Sequence, residues 1–312
     1  MQPRVAAPPF RAAVAIEPLG DGRYRAELGD RWTVGPKAHG GLLLVLLARA
    51  ALARLDADAP GLAPDPLAIA ADFLRAPDLG AVTMTTEVLK TGRTASVVVV
   101  RMHQDDRLML SASVTGGRLP DAEPRWSEAR EQPVEPPEEA INPAAGATVF
   151  GLAHTCDLRF DPATMAFLRR EQAPPVLRGW ARTREEPVDV LFTLLAGDIL
   201  PPTVFNLGGT PGWAPTVQLT ALLRAHPAPG WLRVASRADV VAGPCSTRTS
   251  PWSTRRAGWS ARPASSRWPR CPARASVTRR PRSRRPRGET GCARGLASRH
   301  GRCRGAGGGQ DR

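Results

Sequence analysis

The feature that most constrains the fold of this chain is a segment that is apolar on nearly every face. Residues 42–55 contain only two charged side chains, Arg49 and Arg54. A helix on a protein surface carries a single apolar stripe, so a helix that is apolar all round must be enclosed by other structure. We therefore predict a helix wrapped by the rest of its domain. The two arginines and the short length speak against a membrane span, and the N-terminus lacks the continuous apolar core of a signal peptide.

Four segments with alternating apolar and polar residues follow this helix. Short turn-forming sequences rich in Pro, Gly and Asp separate them, and that combination predicts consecutive strands of an antiparallel sheet. The segments are residues 66–74, 82–89, 95–104 and 108–115.

The second half of the chain repeats this arrangement. Residues 188–200 are again apolar and predict a second helix, and residues 216–224 and 231–241 again predict strands. A duplicated unit of one buried helix and one curved antiparallel sheet is the natural interpretation, which makes the fold class α+β. The predicted domains are residues 1–118, a linker at 119–145 that is rich in Pro and Glu, an incomplete second domain at 146–244, and a tail at 245–312.

The tail differs from the body in composition. It carries 18 arginines and only two acidic residues, whereas the body carries 25 basic and 27 acidic residues. Its aliphatic content is one Leu (Leu296) and one Val (Val277). Such a segment cannot bury enough apolar surface to offset its chain entropy, so we expect disorder. The second domain nevertheless needs two more strands after residue 241.

Translation in a shifted reading frame explains this tail. The chain has only two lysines, Lys37 and Lys90, which points to a GC-rich gene. Read out of frame, such a gene yields mostly Arg, Pro, Ala, Gly, Ser and Trp. Shifting the frame by one position turns residues 244–273 approximately into LLDEDVAVVDSAGRLV-x-AARQLALAPLPG, which predicts a strand, a turn and a second strand. The hypothesis is that the closing hairpin of the second domain has been lost to a frameshift.

Several motifs of the body, in this order and spacing, resemble the acyl-CoA thioesterases of type II (TesB-like), and among them the variants of GC-rich actinobacteria. The resemblance covers roughly residues 10–243 apart from the linker. The motifs are residues 32–35 (WTVG), 39–41 (HGG), 73–77 (FLRAP), 87–93 (EVLKTGR), 211–216 (PGWAPT) and 223–225 (LRA).

The resemblance implies a double hot-dog fold and hydrolysis of acyl-CoA to a free acid and CoA without a cofactor. In that family an Asp, a Thr and a Gln hold and activate the attacking water. Asp198 and Thr216 match the Asp and the Thr. The Gln has no counterpart in the printed chain and appears only in the shifted frame, at the junction of Ala264 and Ser265, so we expect impaired activity.

Structural roles stand beside these functional ones. Asp198 could be an ordinary residue at a helix end, and Thr216 a β-branched strand former. The run His39, Gly40 and Gly41 could bind the acyl thioester through its backbone, or could only form a tight entry into the buried helix.

Two other functions are open at this point. A hot-dog hydratase or dehydratase of enoyl thioesters would share the fold, but such enzymes pair Asp with His near the central helix, and His39 has no Asp partner at the required spacing. An Arg-rich tail, for example Arg279 and Arg280, would bind nucleic acid through phosphates. The frameshift explains the tail without such binding, so we do not expect a nucleic-acid partner.

The remaining expectations concern partners and location. No set of His, Cys and carboxylates has the spacing of a metal site, so we expect no metal. The substrate is expected to be an acyl-CoA, and further pairing into a homo-oligomer is compatible with a double hot-dog. The single cysteine of the body, Cys156, and the lack of a signal peptide or membrane span favour a cytoplasmic protein.

Overall fold

The computed structural model describes residues 10–122, 126, 132–145, 151–208, 214–242, 245–249, 252–253, 260–261 and 264–266. The helices are α1 (Phe10–Ala13), α2 (Gly40–Asp58), α3 (Leu152–Thr155) and α4 (Val190–Ala196). The strands of the first half are β1 (Glu17–Gly20), β2 (Arg23–Leu28), β3 (Thr33–Val34), β4 (Lys37–Ala38), β5 (Asp65–Phe73), β6 (Gly80–Lys90), β7 (Ala95–Gln104) and β8 (Arg107–Gly117). Those that follow are β9 (Asp157–Phe160), β10 (Val176–Arg182), β11 (Gln218–Leu222), β12 (Leu232–Ala242), β13 (Cys245–Thr249), β14 (Trp252–Ser253), β15 (Ser260–Ala261) and β16 (Ala264–Ser266).

Helix α2 is the centre of the first half. Every residue from Gly41 to Ala48 is buried, which confirms the predicted enclosed helix. Strands β2, β5, β6, β7 and β8 pack around it. In β7 the buried residues alternate with partly exposed ones, so Val98, Val100 and Met102 form part of the inner face of the sheet. A helix with no polar face needs this kind of cover on most sides.

The four strands predicted after α2 are confirmed as β5 to β8, with bounds that differ by at most two residues at each end. Each pairs antiparallel with its neighbours. The prediction missed β1 and β2, which precede the helix and extend the same sheet beyond β6. In β2 exposed and buried residues alternate strictly, so the signal for this strand was present in the sequence.

One sheet joins the two halves. Within the described residues its strand order is β1-β2-β6-β7-β8-β5-β11-β16-β13-β12-β10-β9. The junction is the antiparallel pairing of β5 with β11, in which Asp72 lies opposite Gln218 and Ala68 opposite Leu222. Helices α2 and α4 also pack against each other. The halves therefore share both a backbone ladder and a core.

Helix α4 is shorter than expected. The sequence predicted a helix over residues 188–200, and the structure has Val190–Ala196. Its start is set by Asp189, whose carboxylate accepts a hydrogen bond from the N–H of Phe192 at 2.8 Å. Gly197 follows the last helical residue, and Pro201 lacks the N–H needed to continue, so the chain leaves the helix early.

Part of the segment expected to be a linker packs against the second half. The side chain of Gln132 is buried and donates a hydrogen bond to a carbonyl of β10 at 2.7 Å. The indole N–H of Trp180, on the same strand, donates to the carbonyl of Pro133 at 2.9 Å. Ile141 then pairs with the end of β9. Residues 132–145 thus cover one face and one edge of the second half.

Four short segments within residues 245–266 form strands in the structure, whereas the expected disorder of the tail as a whole stays a prediction. Strand β13 pairs with β12, and β16 pairs with both β13 and β11. Unpaired edges of β11 and β12 offer backbone donors and acceptors that any chain can pair with, whatever its side chains. The remaining residues of the tail, including the arginine pairs at 279–280 and 284–285, lie outside the described residues.

Among the helices that the structure describes, none combines the length and the apolar character needed to cross a bilayer.

The contact between residues 132–145 and β10 gives a testable prediction. Trp180→Phe removes the indole N–H and leaves the carbonyl of Pro133 without its donor. We expect the free energy of unfolding to fall by more than about 1 kcal/mol, because the variant loses this hydrogen bond and the smaller ring also leaves a cavity at a buried position. Urea titration measures the change. Trp126→Phe, at a position that is 80% exposed, is the matched control and should leave the curve unchanged. Equal stability of both variants would contradict the assigned contact.

Candidate active site

The start of α2 and the end of α4 meet, and Asp198 lies at their junction. Asp198 lies two residues after the last residue of α4, and its N–H donates to the carbonyl of Leu195 at 3.0 Å. Its carboxylate lies against Gly40, the first residue of α2. A Cβ atom added to Gly40 would be 2.6 Å from Asp198 Oδ2. Glycine at position 40 therefore leaves room for this carboxylate, which an alanine side chain would displace.

His39, which precedes α2, contacts the same aspartate. Its Nε2 is 3.1 Å from the backbone carbonyl oxygen of Asp198 and 4.0 Å from Oδ2. The imidazole is 3% exposed and the carboxylate 12% exposed. The inference that His39 has no Asp partner is wrong. It considered partners near His39 in the chain, whereas the actual partner comes from the other half of the molecule.

Gly41 allows the two helices to approach closely. A Cβ atom on Gly41 would lie 2.6 Å from the backbone oxygen of Leu195 and 2.9 Å from Cε1 of His39. No real side chain tolerates such distances to a main-chain atom. The HGG motif, predicted as a thioester-binding element or a helix entry, thus forms the contact surface for the end of α4.

Thr216 lies near this junction, as the contacts of the adjacent residue Val217 show. It immediately precedes Val217, whose carbonyl accepts a hydrogen bond from the N–H of Phe73 at 2.8 Å. The ring of Phe73 in turn lies 3.5 Å from the position of a Cβ on Gly40. The structure therefore places Thr216 at the corner where β5 and β11 approach the start of α2. Its side chain is partly buried.

The electrostatics of the junction favour a carboxylate. The first N–H groups of a helix have no intrahelical acceptors and carry a partial positive charge. Helix α2 has no acidic residue in its first turn, and the side chain of His39 does not cap it. The first turn of α2 has no negative charge of its own, and the Asp198 carboxylate supplies one from the other half of the molecule.

The cysteine of the body is not suited to nucleophilic chemistry. Burial raises the pKa of the Cys156 thiol to about 12, so the thiol stays protonated near neutral pH. Only a thiolate is an effective nucleophile. Across the part of the chain that the structure describes, no group of three or more His, Cys, Asp or Glu side chains could hold a metal ion.

Comparison with known proteins places this geometry in a family. The model of the acyl-CoA thioesterase N-terminal domain matches residues 28–117, and that of the C-terminal domain matches residues 127–244. An uncharacterized protein of Mycobacterium tuberculosis is 37% identical over 251 residues, which cover 72% of this chain and 86% of the relative. The chain belongs to the acyl-CoA thioesterase family.

Solved structures agree with membership of the acyl-CoA thioesterase family. A proposed thioesterase II of Thermobifida fusca has a TM-score of 0.71 at 30% identity, covering 82% of this chain and 96% of its own. A hot-dog protein of Alicyclobacillus acidocaldarius has a TM-score of 0.70 at 18% identity, covering 83% and 98%, and shows the fold alone. The resemblance to thioesterases of type II and the hot-dog fold expected from it are confirmed.

The site residues predicted for this thioesterase family member have different outcomes. The structure brings His39, Gly40, Gly41 and Asp198 together, and the roles of Asp198 and Thr216 stay predictions. The sequence analysis missed the backbone of Leu195. Every residue has a carbonyl oxygen, so the residue type does not reveal that this one contacts Gly41. Residues 211–213 of the PGWAPT motif lie outside the described residues.

The third residue of the expected catalytic set, a Gln, is absent from the printed chain at its predicted place. The junction of Ala264 and Ser265 lies on β16, where these residues pair with Thr220 and Leu219 of β11. The strand on which the restored Gln would stand is therefore adjacent to the strand that follows Thr216.

Two glycine variants test the junction. Gly41→Ala places a methyl group against the main chain of Leu195, so we expect a loss of about 1–3 kcal/mol in the free energy of unfolding. Gly40→Ala meets only the end of the Asp198 side chain, and alanine favours the helix, so we expect nearly unchanged stability. Gly29→Ala, in open space, is the control. If Gly41→Ala were as stable as Gly40→Ala in urea titrations, the described approach of the helices would be incorrect.

Proposed function

We propose that this acyl-CoA thioesterase family member hydrolyses an acyl-CoA to a free acid and CoA by direct attack of water, with Asp198 as the general base and Thr216 as a second water-holding group. The observation that carries the proposal is the Asp198 carboxylate, which lies over the start of α2 with 12% of its side chain exposed. A carboxylate in that position is shielded but still accessible to a water molecule.

The proposed reaction needs only the chain, the thioester and water. Asp198 accepts a proton as the water oxygen attacks the thioester carbonyl carbon and forms a tetrahedral intermediate. The carbon–sulfur bond then breaks, and the thiolate of CoA takes up the proton that Asp198 holds. The hydroxyl of Thr216 orients the water. It is a much weaker base than the carboxylate, so it does not compete with Asp198 for the proton.

Backbone N–H groups at the start of α2 are suited to stabilise the oxyanion of the intermediate. Helix N-termini present donors that have no intrahelical partner, and they attract negative charge. Gly40 and Gly41 leave no side chain in front of these donors. In this proposal the backbone N–H groups of Gly40 and Gly41 supply the oxyanion site and Asp198 supplies the base, so the reacting carbonyl lies between residues of both halves.

We infer further that the printed chain is impaired because its last strands are translated in a shifted frame. Strands β13 and β16 occupy the gap between β12 and β11 that the restored hairpin would fill. Neither printed strand contains a Gln. Losing one group that orients the water typically costs about 100-fold or more in rate.

A hot-dog hydratase of enoyl thioesters is the second candidate, and one observation favours it. His39 and Asp198 form the His and Asp pair whose absence spoke against this class. Such a pair could take a proton from a water molecule, whose hydroxyl adds to one carbon of the double bond, and return that proton to the other carbon. Incubation with an acyl-CoA and with an enoyl-CoA separates the candidates, because the thioesterase releases thiol and the hydratase reduces enoyl absorbance.

Asp198→Asn tests the general base. The amide keeps the size of the side chain but cannot accept the proton from water, so we expect kcat for thiol release to fall by about 100-fold or more with a small change in KM. The measurement uses a thiol-reactive dye and acyl-CoA substrates of several chain lengths. Asp239→Asn, at a position 55% exposed in the second half, is the matched control and should keep its activity. Unchanged turnover in Asp198→Asn would reject the mechanism.

Restoring the reading frame after residue 242 tests the impairment. The repaired chain regains the Gln and the apolar hairpin, so we expect kcat/KM to rise by about 100-fold or more over the printed chain. Sequencing the gene around the codons for residues 242–245 in independent clones is the companion measurement. An intact frame in all clones, or equal activity of the two chains, would refute the frameshift.

A further inference from the structure

His39 does not perform the usual task of a residue before a helix. Its side chain makes no capping hydrogen bond to α2. The imidazole instead reaches the second half, with Nε2 3.1 Å from the backbone oxygen of Asp198. A carbonyl oxygen can only accept a hydrogen bond, so Nε2 carries the proton and donates it. A donor of the first half thus holds the main chain of the predicted base.

The imidazole has little freedom to turn away from this contact. The backbone N–H of His39 donates to the carbonyl of Trp32 at 2.9 Å, which fixes the residue at the end of the β3 and β4 hairpin. The ring is 3% exposed and packs over Gly41. A side chain anchored at its backbone and enclosed on its faces is a rigid donor, which is what fixed geometry at a reacting group requires.

The ring also borders the carboxylate itself. Nε2 lies 4.0 Å from Asp198 Oδ2, and Gly40 leaves the space that Oδ2 occupies on the other side. The carboxylate therefore lies between an imidazole edge and the start of α2. We expect that removing the ring leaves space into which the carboxylate can rotate, away from the water that it activates in the proposed reaction.

We propose that His39 is the positioning residue for Asp198, and that the site is incomplete without this contribution from the first half. The inference rests on the proposed function. His39 touches neither water nor substrate in this role. It acts by fixing the main chain of Asp198 through one hydrogen bond and the carboxylate through packing.

Two substitutions of His39 in the full-length chain separate positioning from mere structure. His39→Leu keeps apolar bulk and removes the donor, so we expect kcat for thiol release to fall by about 10- to 100-fold with KM changed less than about threefold, as misplacement of a reacting group predicts. His39→Gln retains an N–H donor close to the position of Nε2, so we expect it to recover kcat to within about threefold of the unaltered chain. His103→Leu, on strand β7, is the control and should leave both constants unchanged.

A second measurement does not depend on turnover. In NMR spectra of the chain labelled with nitrogen-15 in histidine, the ring signals that vanish in His39→Gln belong to His39. They should show a proton on Nε2, and they should shift in Asp198→Asn because the charge 4.0 Å away is removed. A proton found only on Nδ1, or ring signals with the same chemical shifts in Asp198→Asn, would overturn the inference even if His39→Leu failed to fold.

The two proposals fail in different ways. If the unaltered chain and the frame-restored chain both release no thiol, the proposed function is rejected, and the inference that rests on it is rejected with it. If thiol release is normal and His39→Leu matches the unaltered chain in kcat, the positioning role alone is rejected. Equal losses of kcat in His39→Leu and His39→Gln would likewise reject the hydrogen bond as the cause.

Discussion

The close approach of α2 and α4 is the constraint on which the rest of the site depends. Gly41 has no side chain, so the carbonyl oxygen of Leu195 can approach its main chain closely. Gly40 leaves room for the carboxylate of Asp198. Two consecutive glycines at a helix start weaken the helix, because they lose more backbone entropy than other residues. The burial of α2 on nearly all sides offsets that loss, so the molecule can keep glycines where packing and chemistry require them.

Backbone pairing provides the second level of organisation. The ladder between β5 and β11 makes one sheet of two units, and it positions Thr216 and Phe73 at the same corner as Gly40. Strands β13 and β16 continue this ladder although their sequences come from the arginine-rich tail. Hydrogen bonds of the main chain do not depend on side chains, whereas catalysis does. A strand can therefore close the sheet without carrying the Gln that the proposed reaction needs.

The accuracy of the sequence-based prediction varied with the strength of the local pattern. Strands β5 to β8 were found nearly at their bounds, since alternation and turn residues mark both ends. Strand β10 was missed because Gly179 and Trp180 interrupt any alternation, and its burial reflects cover from residues 132–145. Helix α4 was predicted too long, because hydrophobic character continues to Leu200 while Gly197 and Pro201 end the helix.

By itself, the sequence determined the enclosed helix, the order of the first-half strands, the family and the break in composition after residue 244. These properties follow from local periodicity and residue type, which act over short stretches of chain. Only the tertiary structure decided that His39 meets Asp198, 159 residues away, and that Leu195 lies against Gly41. The physical reason is that these contacts arise when two buried helices pack inside one shared sheet, and no local pattern specifies which atoms of two distant segments will then be neighbours.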